Sequence, residues 1–308
     1  MESKILVLGA GELGTAILNS LSQLTHDQKT SISVLLRPST VSSPSPSQAA
    51  TISHLQSLNI SIVLGDISSN PAELASLFAP YDVVISCLGF SSGRGSQLKL
   101  ARAVLAAGVK RYFPWQFGVD YDVIGRGSAQ DLFDEQLDVR DLLRVQSATE
   151  WVIVSTGLFT SFLFEEHFGV VEWDKGIVRA LGAWDNDVTV TTPEDIGKVM
   201  VEIVREGERL KNRVLYTAGQ TVSYGTVADV VEEIRGGNIK REEWSATKLK
   251  RDLESDPDNF VKKYRVVFAE GRGVSWEKEK TYNWQKGIEL EGLRDWAIRN
   301  MKDRIVRS

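Results

Sequence analysis

Short apolar runs separated by helix-like stretches set the rhythm of the chain. Lys4–Leu8, Ile32–Leu36, Ile60–Leu64 and Asp82–Cys87 each read as a buried strand, too short to stand as a helix. A fifth begins at Val109 and runs into Trp115-Gln116-Phe117-Gly118. Between them Glu12–Leu24, a segment reaching Leu58, one opening at Pro71 and Gln97–Ala107 read as helices. Proline sits in the first turn of the third, and Gly108 ends the last. Alternation of this kind predicts a Rossmann-type doubly wound parallel sheet, with ligand beyond the carboxyl ends of its strands. Residues 38–50, rich in serine and proline, carry too little apolar content to pack and are expected as a loop.

Beyond Ser155 the alternation changes. We expect residues 1–157 to form the dinucleotide-binding domain, with 189–220 returning to it, and 158–188 plus 221–308 to form a smaller α/β substrate lobe. Thr192-Pro193-Glu194-Asp195 opens a helix with threonine as N-cap, proline at the first position and acids in the first turn. Phe159, Phe162, Leu163, Phe164 and Phe168 cluster as either a pocket lining or a lobe core. Trp276, Trp284 and Trp296 are expected in that core, and Arg294–Arg307 as a mixed-charge helix covering the lobe or meeting another chain.

Composition narrows the class. Of 308 residues, 42% are hydrophobic and 25% charged, as in an ordinary globular protein. The net charge of −5 gives no basic field for nucleic acid. A single cysteine, Cys87, excludes an internal disulfide and fits a reducing compartment, so a cytoplasmic location is the expectation. No segment approaches the roughly 18 apolar residues that span a bilayer. Three histidines, far apart and with no cysteine pattern, support no metal site. An oligomer is possible but nothing in the sequence argues for one.

The candidate chemistry starts at Gly9-Ala10-Gly11-Glu12-Leu13-Gly14, directly after the first strand and opening a helix. In that context Gly9 permits a tight turn, Gly11 leaves room for a pyrophosphate against the backbone, and Gly14 lets helix and strand pack closely. The N–H groups at the helix start, those of Glu12 and Leu13 among them, face the phosphates. Arg37 closes the second strand, roughly twenty residues beyond the glycines, where an acid would select NAD. Its guanidinium suits a 2′-phosphate instead, so NADP(H) is the expected cofactor. Asp66 ends the third strand, where it meets an adenine amino group or simply makes a turn. Ser86, Leu88, Gly89, Gln97, Trp115 and Phe117 complete the expected cofactor contacts. Cys87 reads as a small core residue.

These blocks resemble the NmrA-like and isoflavone-reductase-like branch of the atypical short-chain dehydrogenases. The resemblance spans most of the chain: Gly9–Gly14, Leu36-Arg37-Pro38, Val84–Gly89, Val109–Pro114, Phe117-Gly118, Val152–Phe159 and Glu194–Gly197. The wording around residues 111–200 is most similar to fungal members, which implies reduction of a small aromatic or polyketide-like metabolite in secondary metabolism. The plant reductases carry Ser-Glu-Phe-Gly where this chain has Trp115-Gln116-Phe117-Gly118, and a lysine where Gln136 stands. No lysine occurs between Lys110 and Lys175. A glutamine amide hydrogen-bonds but transfers no proton. Gln116, Gln136 and Tyr121 are therefore the catalytic candidates, with Asp120 or Asp122 acting through water as a further option. As an alternative, the resemblance also admits a dinucleotide-binding regulator that senses redox state without turnover. A methyltransferase, the third option, would want an acid where Arg37 stands.

Overall fold

The computed structural model describes residues 3–27 and 30–305. In chain order the first elements are β1 (Ser3–Leu8), α1 (Glu12–Leu21), β2 (Thr30–Leu36), α2 (Pro38–Ser42), α3 (Pro46–Ser57), β3 (Ser61–Leu64), α4 (Pro71–Phe78), β4 (Val83–Ser86), α5 (Ser96–Ala106), β5 (Arg111–Phe113), α6 (Tyr121–Ile124), α7 (Leu132–Arg144) and β6 (Glu150–Ser155). There follow β7 (Leu158–Phe159), β8 (Val171–Glu172), β9 (Ile177–Leu181), β10 (Asp187–Thr191), α8 (Pro193–Glu206), β11 (Arg213–Tyr216), β12 (Gln220–Ser223), α9 (Tyr224–Arg235), β13 (Lys240–Trp244), α10 (Ala246–Glu254), α11 (Phe260–Glu270), α12 (Tyr282–Gln285) and α13 (Leu293–Ile305).

The chain divides into two compact units. The first comprises residues 1–116, 135–154 and 196–215 and the second 117–134, 155–195 and 216–308. The seven-stranded sheet runs β11-β6-β5-β4-β1-β2-β3, and its pairings from β3 through to β6 are parallel. Strand order reverses between β1 and β4, which makes the carboxyl end of β1 the switch point where such sheets take ligands. Ile5–Leu8 is buried without alternation because a central parallel strand is covered on both faces. Leu6, Leu8, Val84, Leu100, Val104, Tyr112 and Ile153 meet in one core.

Local sequence explains the helices against the sheet. On α1, buried Leu13, Gly14, Ile17, Leu18 and Leu21 repeat at three and four residues, a stripe that faces the strands. Gly14 lies so close to β1's exit that an added Cβ would stand 2.2 Å from the Gly9 carbonyl oxygen. Residues 38–50 are not the loop expected from composition. Pro38 opens α2, and Pro46 opens α3 behind a capping box in which Ser45 and Gln48 bond reciprocally. Only Leu55 of α3 is buried, so caps rather than a core face hold this helix.

In the second unit, β12-β10-β7 and β13-β9-β8 form two three-stranded sheets. The segment returning to the first unit is 196–215, narrower than the 189–220 expected, because β10 pairs with β12 and β7. Thr192 caps α8 as its pattern predicts, accepting from Asp195 N at 3.1 Å. The last helix, α13, buries Leu293, Trp296, Ala297 and Met301 in its own unit. The expected Arg294–Arg307 helix is α13 as far as Ile305; residues 306 and 307 lie outside the described residues. Trp284 departs from expectation. It is 49% exposed with Lys278 Nζ over its ring at 4.6 Å, since the short α12 turns it outward.

Candidate functional site

At the switch point the three glycines do three different things. Gly9 takes φ +91°, a conformation that side-chain-bearing residues rarely adopt, and turns the chain out of β1. Gly14 is packed, as its contact with Gly9 shows. Gly11 faces open space, with no atom within 4 Å of where its Cβ would stand. It is also the N-cap of α1, and no side chain there bonds to the helix N–H groups. An uncapped helix start beneath an open glycine face can hold a pyrophosphate.

Arg37 follows β2 on the same edge. It is exposed, and its guanidinium makes no hydrogen bond or ion pair with any described residue. Asp66 ends β3 beside it. Hydrogen bonds from Ser68, then the nearby charges of Arg37 and Lys99, hold the Asp66 carboxyl below its ordinary range. The backbone bond from Ser68 N, 2.8 Å, makes Asp66 a turn residue as well as an acceptor at the sheet edge.

Beyond β4 the predicted residues are physically linked. Gln97 Nε2 donates to the Leu88 carbonyl at 2.7 Å and more weakly to Gly89 at 3.5 Å. Its Oε1 is buried without a partner. The Trp115 ring covers Gly89, where a Cβ would stand 3.1 Å from it, and meets Phe90 edge-on at 4.6 Å. Ser86 is fully buried at the end of β4. Burial alone pushes the Cys87 thiol far above its usual range, in keeping with a core residue.

One residue escaped the sequence reading. Glu135 accepts from Gly95 N and Gln97 N, both at 2.8 Å, and from Leu98 N at 3.1 Å. This carboxylate caps α5 from forty residues away and ties α7 to the segment carrying Gln97. The signal was faint: α5 opens with Gly95-Ser96, and no acid lies at its own start.

Gln116 and Gln136 are brought together by the fold. Gln116 Nε2 donates to the Gln136 main-chain oxygen at 2.9 Å, and Arg140 Nε donates to Gln116 Oε1 at 2.7 Å. All three residues are fully buried. Gln116 is thereby committed at both ends of its amide, whereas neither Oε1 nor Nε2 of Gln136 has a partner.

Phe117 and Tyr121 belong to the second unit. Phe117 is buried, and so is Tyr121, whose hydroxyl lies 3.0 Å from where a Gly118 Cβ would be. The Gly118 carbonyl accepts from Thr156 N and Gly157 N. Tyr121 starts an aromatic row: it meets Phe133 edge-on at 5.0 Å, Phe133 meets Tyr264 at 5.5 Å, and Tyr264 meets Phe162 at 6.3 Å. Burial, and to a lesser degree the neighbouring Tyr121, raises the Tyr264 phenol above its usual range. Asp120 accepts from Tyr216 Oη at 2.7 Å and from the N–H groups that start α6, which fits a structural cap. Among the described residues no group of three or more His, Cys, Asp or Glu could hold a metal, and no helix is long and apolar enough to cross a membrane.

This sheet order, with a glycine turn and an uncapped helix at its switch point, defines a Rossmann-type α/β protein. The chain belongs to the NmrA-like family, whose profile matches residues 1–293. It is 50% identical over 298 residues to an NmrA-like family domain-containing oxidoreductase of Gibberella moniliformis, covering 96% of this chain and 97% of that one. It is 28% identical to phenylcoumaran benzylic ether reductase 1 of Arabidopsis thaliana, covering 95% and 94%. Its fold matches the leucoanthocyanidin reductase–NADPH complex from Vitis vinifera at a TM-score of 0.75 and 21% identity, over 89% of this chain and 90% of that one.

Proposed function

We propose that the chain is an NADPH-dependent reductase of a small aromatic or polyketide-like metabolite, acting on a carbonyl, an imine or a conjugated double bond. The cradle carries this reading: an open Gly11 face over an uncapped α1, with Arg37 free on the same edge. These residues fit a dinucleotide with a third phosphate. Gly11 and the first N–H groups of α1 would hold the pyrophosphate, Arg37 the 2′-phosphate, Asp66 the adenine, and Gln97 would brace the Leu88–Gly89 backbone. When bound, the reduced nicotinamide supplies a hydride.

The chain's own task is then to meet negative charge developing on a substrate oxygen or nitrogen. Gln136 offers an N–H donor for it and Gln116 holds the Gln136 backbone in place; Tyr121, in the second unit, is the phenol that the sequence offers for protonation. The oxidoreductase relative at 50% identity supports turnover. The direct test is NADPH titration by fluorescence followed by NADPH oxidation against a panel of aromatic ketones, imines and enones. Saturable NADPH binding and at least one reduced compound are expected; no binding sinks the reading at its first step.

A second reading is a redox-sensing regulator that binds dinucleotide without turnover. The observation favouring it is the amide at position 136, which transfers no proton. It predicts that NADP+ and NADPH both bind, that no panel member is reduced, and that a protein partner is released when dinucleotide is added.

A further inference from the structure

Gln136 is fully buried, yet both polar atoms of its amide are unmatched. Its base is fixed. Gln116 holds its carbonyl, Arg140 holds Gln116, and Glu135, the preceding residue, is anchored by three backbone N–H groups. A buried amide with neither end paired is rare, because an apolar residue of the same shape would pack there without losing a hydration shell. An amide also dictates its complement: an acceptor opposite N–H and, immediately beside it, a donor opposite the oxygen.

We propose that Gln136 reads a donor–acceptor edge on a ligand, a carbonyl flanked by an O–H or N–H, as in an α-hydroxy ketone or a lactam. Gln136 Nε2 donates to the ligand carbonyl, and the ligand O–H or N–H donates to Gln136 Oε1. No bond is made or broken. The inference rests on the reductase reading and names the substrate class for it. The same edge exists in the carboxamide of a nicotinamide ring, so the two sources need separate arms.

The test compares the wild type with Gln136→Met, which keeps the shape, and Gln136→Glu, which keeps the acceptor and loses the donor. The substrate arm pairs α-hydroxyacetophenone with α-methoxyacetophenone; the cofactor arm pairs NADPH with its acetylpyridine analogue, which lacks the carboxamide N–H. If the substrate supplies the edge, the wild type favours the hydroxy over the methoxy ketone in kcat/KM by about tenfold or more; Gln136→Met loses that preference, whereas Gln136→Glu, which still accepts from the ligand O–H, keeps it while handling both ketones less well. If the cofactor supplies it, the preference appears instead between NADPH and the analogue and vanishes in Gln136→Met. Equal handling of both pairs by the wild type overturns the inference. Where neither ketone is reduced, the same comparison is made by calorimetric binding in the presence of NADP+, and the reductase reading is judged separately on the wider panel.

Discussion

The glycine cradle at β1 and the Glu135–Gln136 corner of α7 stand in one unit of the molecule but obey different rules. In the cradle each residue type follows from the backbone it must serve: Gly9 has φ +91°, Gly14 meets a carbonyl, and Gly11 faces open space. At the corner neighbours on one helix diverge. Glu135 spends both carboxylate oxygens on backbone N–H groups, whereas Gln136 spends neither end of its amide. Binding a dinucleotide is thus built from backbone, which many sequences can supply in one pattern. The chemistry proposed at the corner rests instead on side chains.

The comparison can be broken apart by substitution. Gly14→Ala has the largest expected effect, since a backbone oxygen 2.2 Å away cannot give as a side chain could; we expect a loss of about 3 kcal/mol or more in urea unfolding. Gly11→Ala should leave the unfolding midpoint within about 0.5 kcal/mol, because the new methyl meets nothing. The same methyl stands where a pyrophosphate must approach, so NADPH affinity should fall on the order of 100-fold in a fluorescence titration. Unchanged affinity would remove the cradle from the binding site.

Arg37→Ala sharpens the distinction between cofactors. A charge-assisted bond to phosphate contributes about 1.5–3 kcal/mol, so NADPH affinity should fall by roughly ten- to a hundredfold while NADH affinity stays constant. Equal losses for both would assign Arg37 a structural role. At the corner, Glu135→Ala should cost about 1–2 kcal/mol by uncapping α5, against about 0.5 kcal/mol or less for Gln136→Met, which breaks no hydrogen bond. Reversal of that order in denaturant melts would undo the contrast between the two neighbours.

The smallest expected effect is a pH dependence at Asp66. Its folded pKa lies below the ordinary 3.8, so it contributes stability that is fully present above that value and lost as pH falls through the depressed one. The gap in urea midpoint between wild type and Asp66→Asn should therefore be constant near neutrality and close below about pH 4. A gap that persists under acid would mean that the turn, and not the charge, is what Asp66 supplies.

Much of the first unit was legible because its signals are local. Four apolar residues, a glycine turn and a periodic helix announce β1 and α1, and Arg37 follows from where β2 must end. The bonds of Glu135 reach α5 across forty residues, and no window of sequence contains both ends. Residues 38–50 have the composition of a loop, yet the Ser45-Pro46-x-Gln48 cap starts a helix there with almost no core face. In the second unit, β13 is Lys-Arg-Glu-Glu-Trp, a strand no hydrophobic pattern would reveal. It exists because it pairs with β9 along its whole length, and because Arg179 on β9 binds Glu242 at 2.7 Å and lies over Trp244 at 4.7 Å.

Cys87 has a practical consequence. It is the one thiol in the chain, buried beside the cradle and held protonated by its surroundings. A maleimide dye has nothing to react with in the folded protein, so the native cysteine need not be removed before labelling. Val145, 84% exposed one residue past the end of α7, is a suitable place to install a second. A fluorophore there would report on α7, the helix that carries Glu135 and Gln136, while dinucleotide and ketone are added in turn.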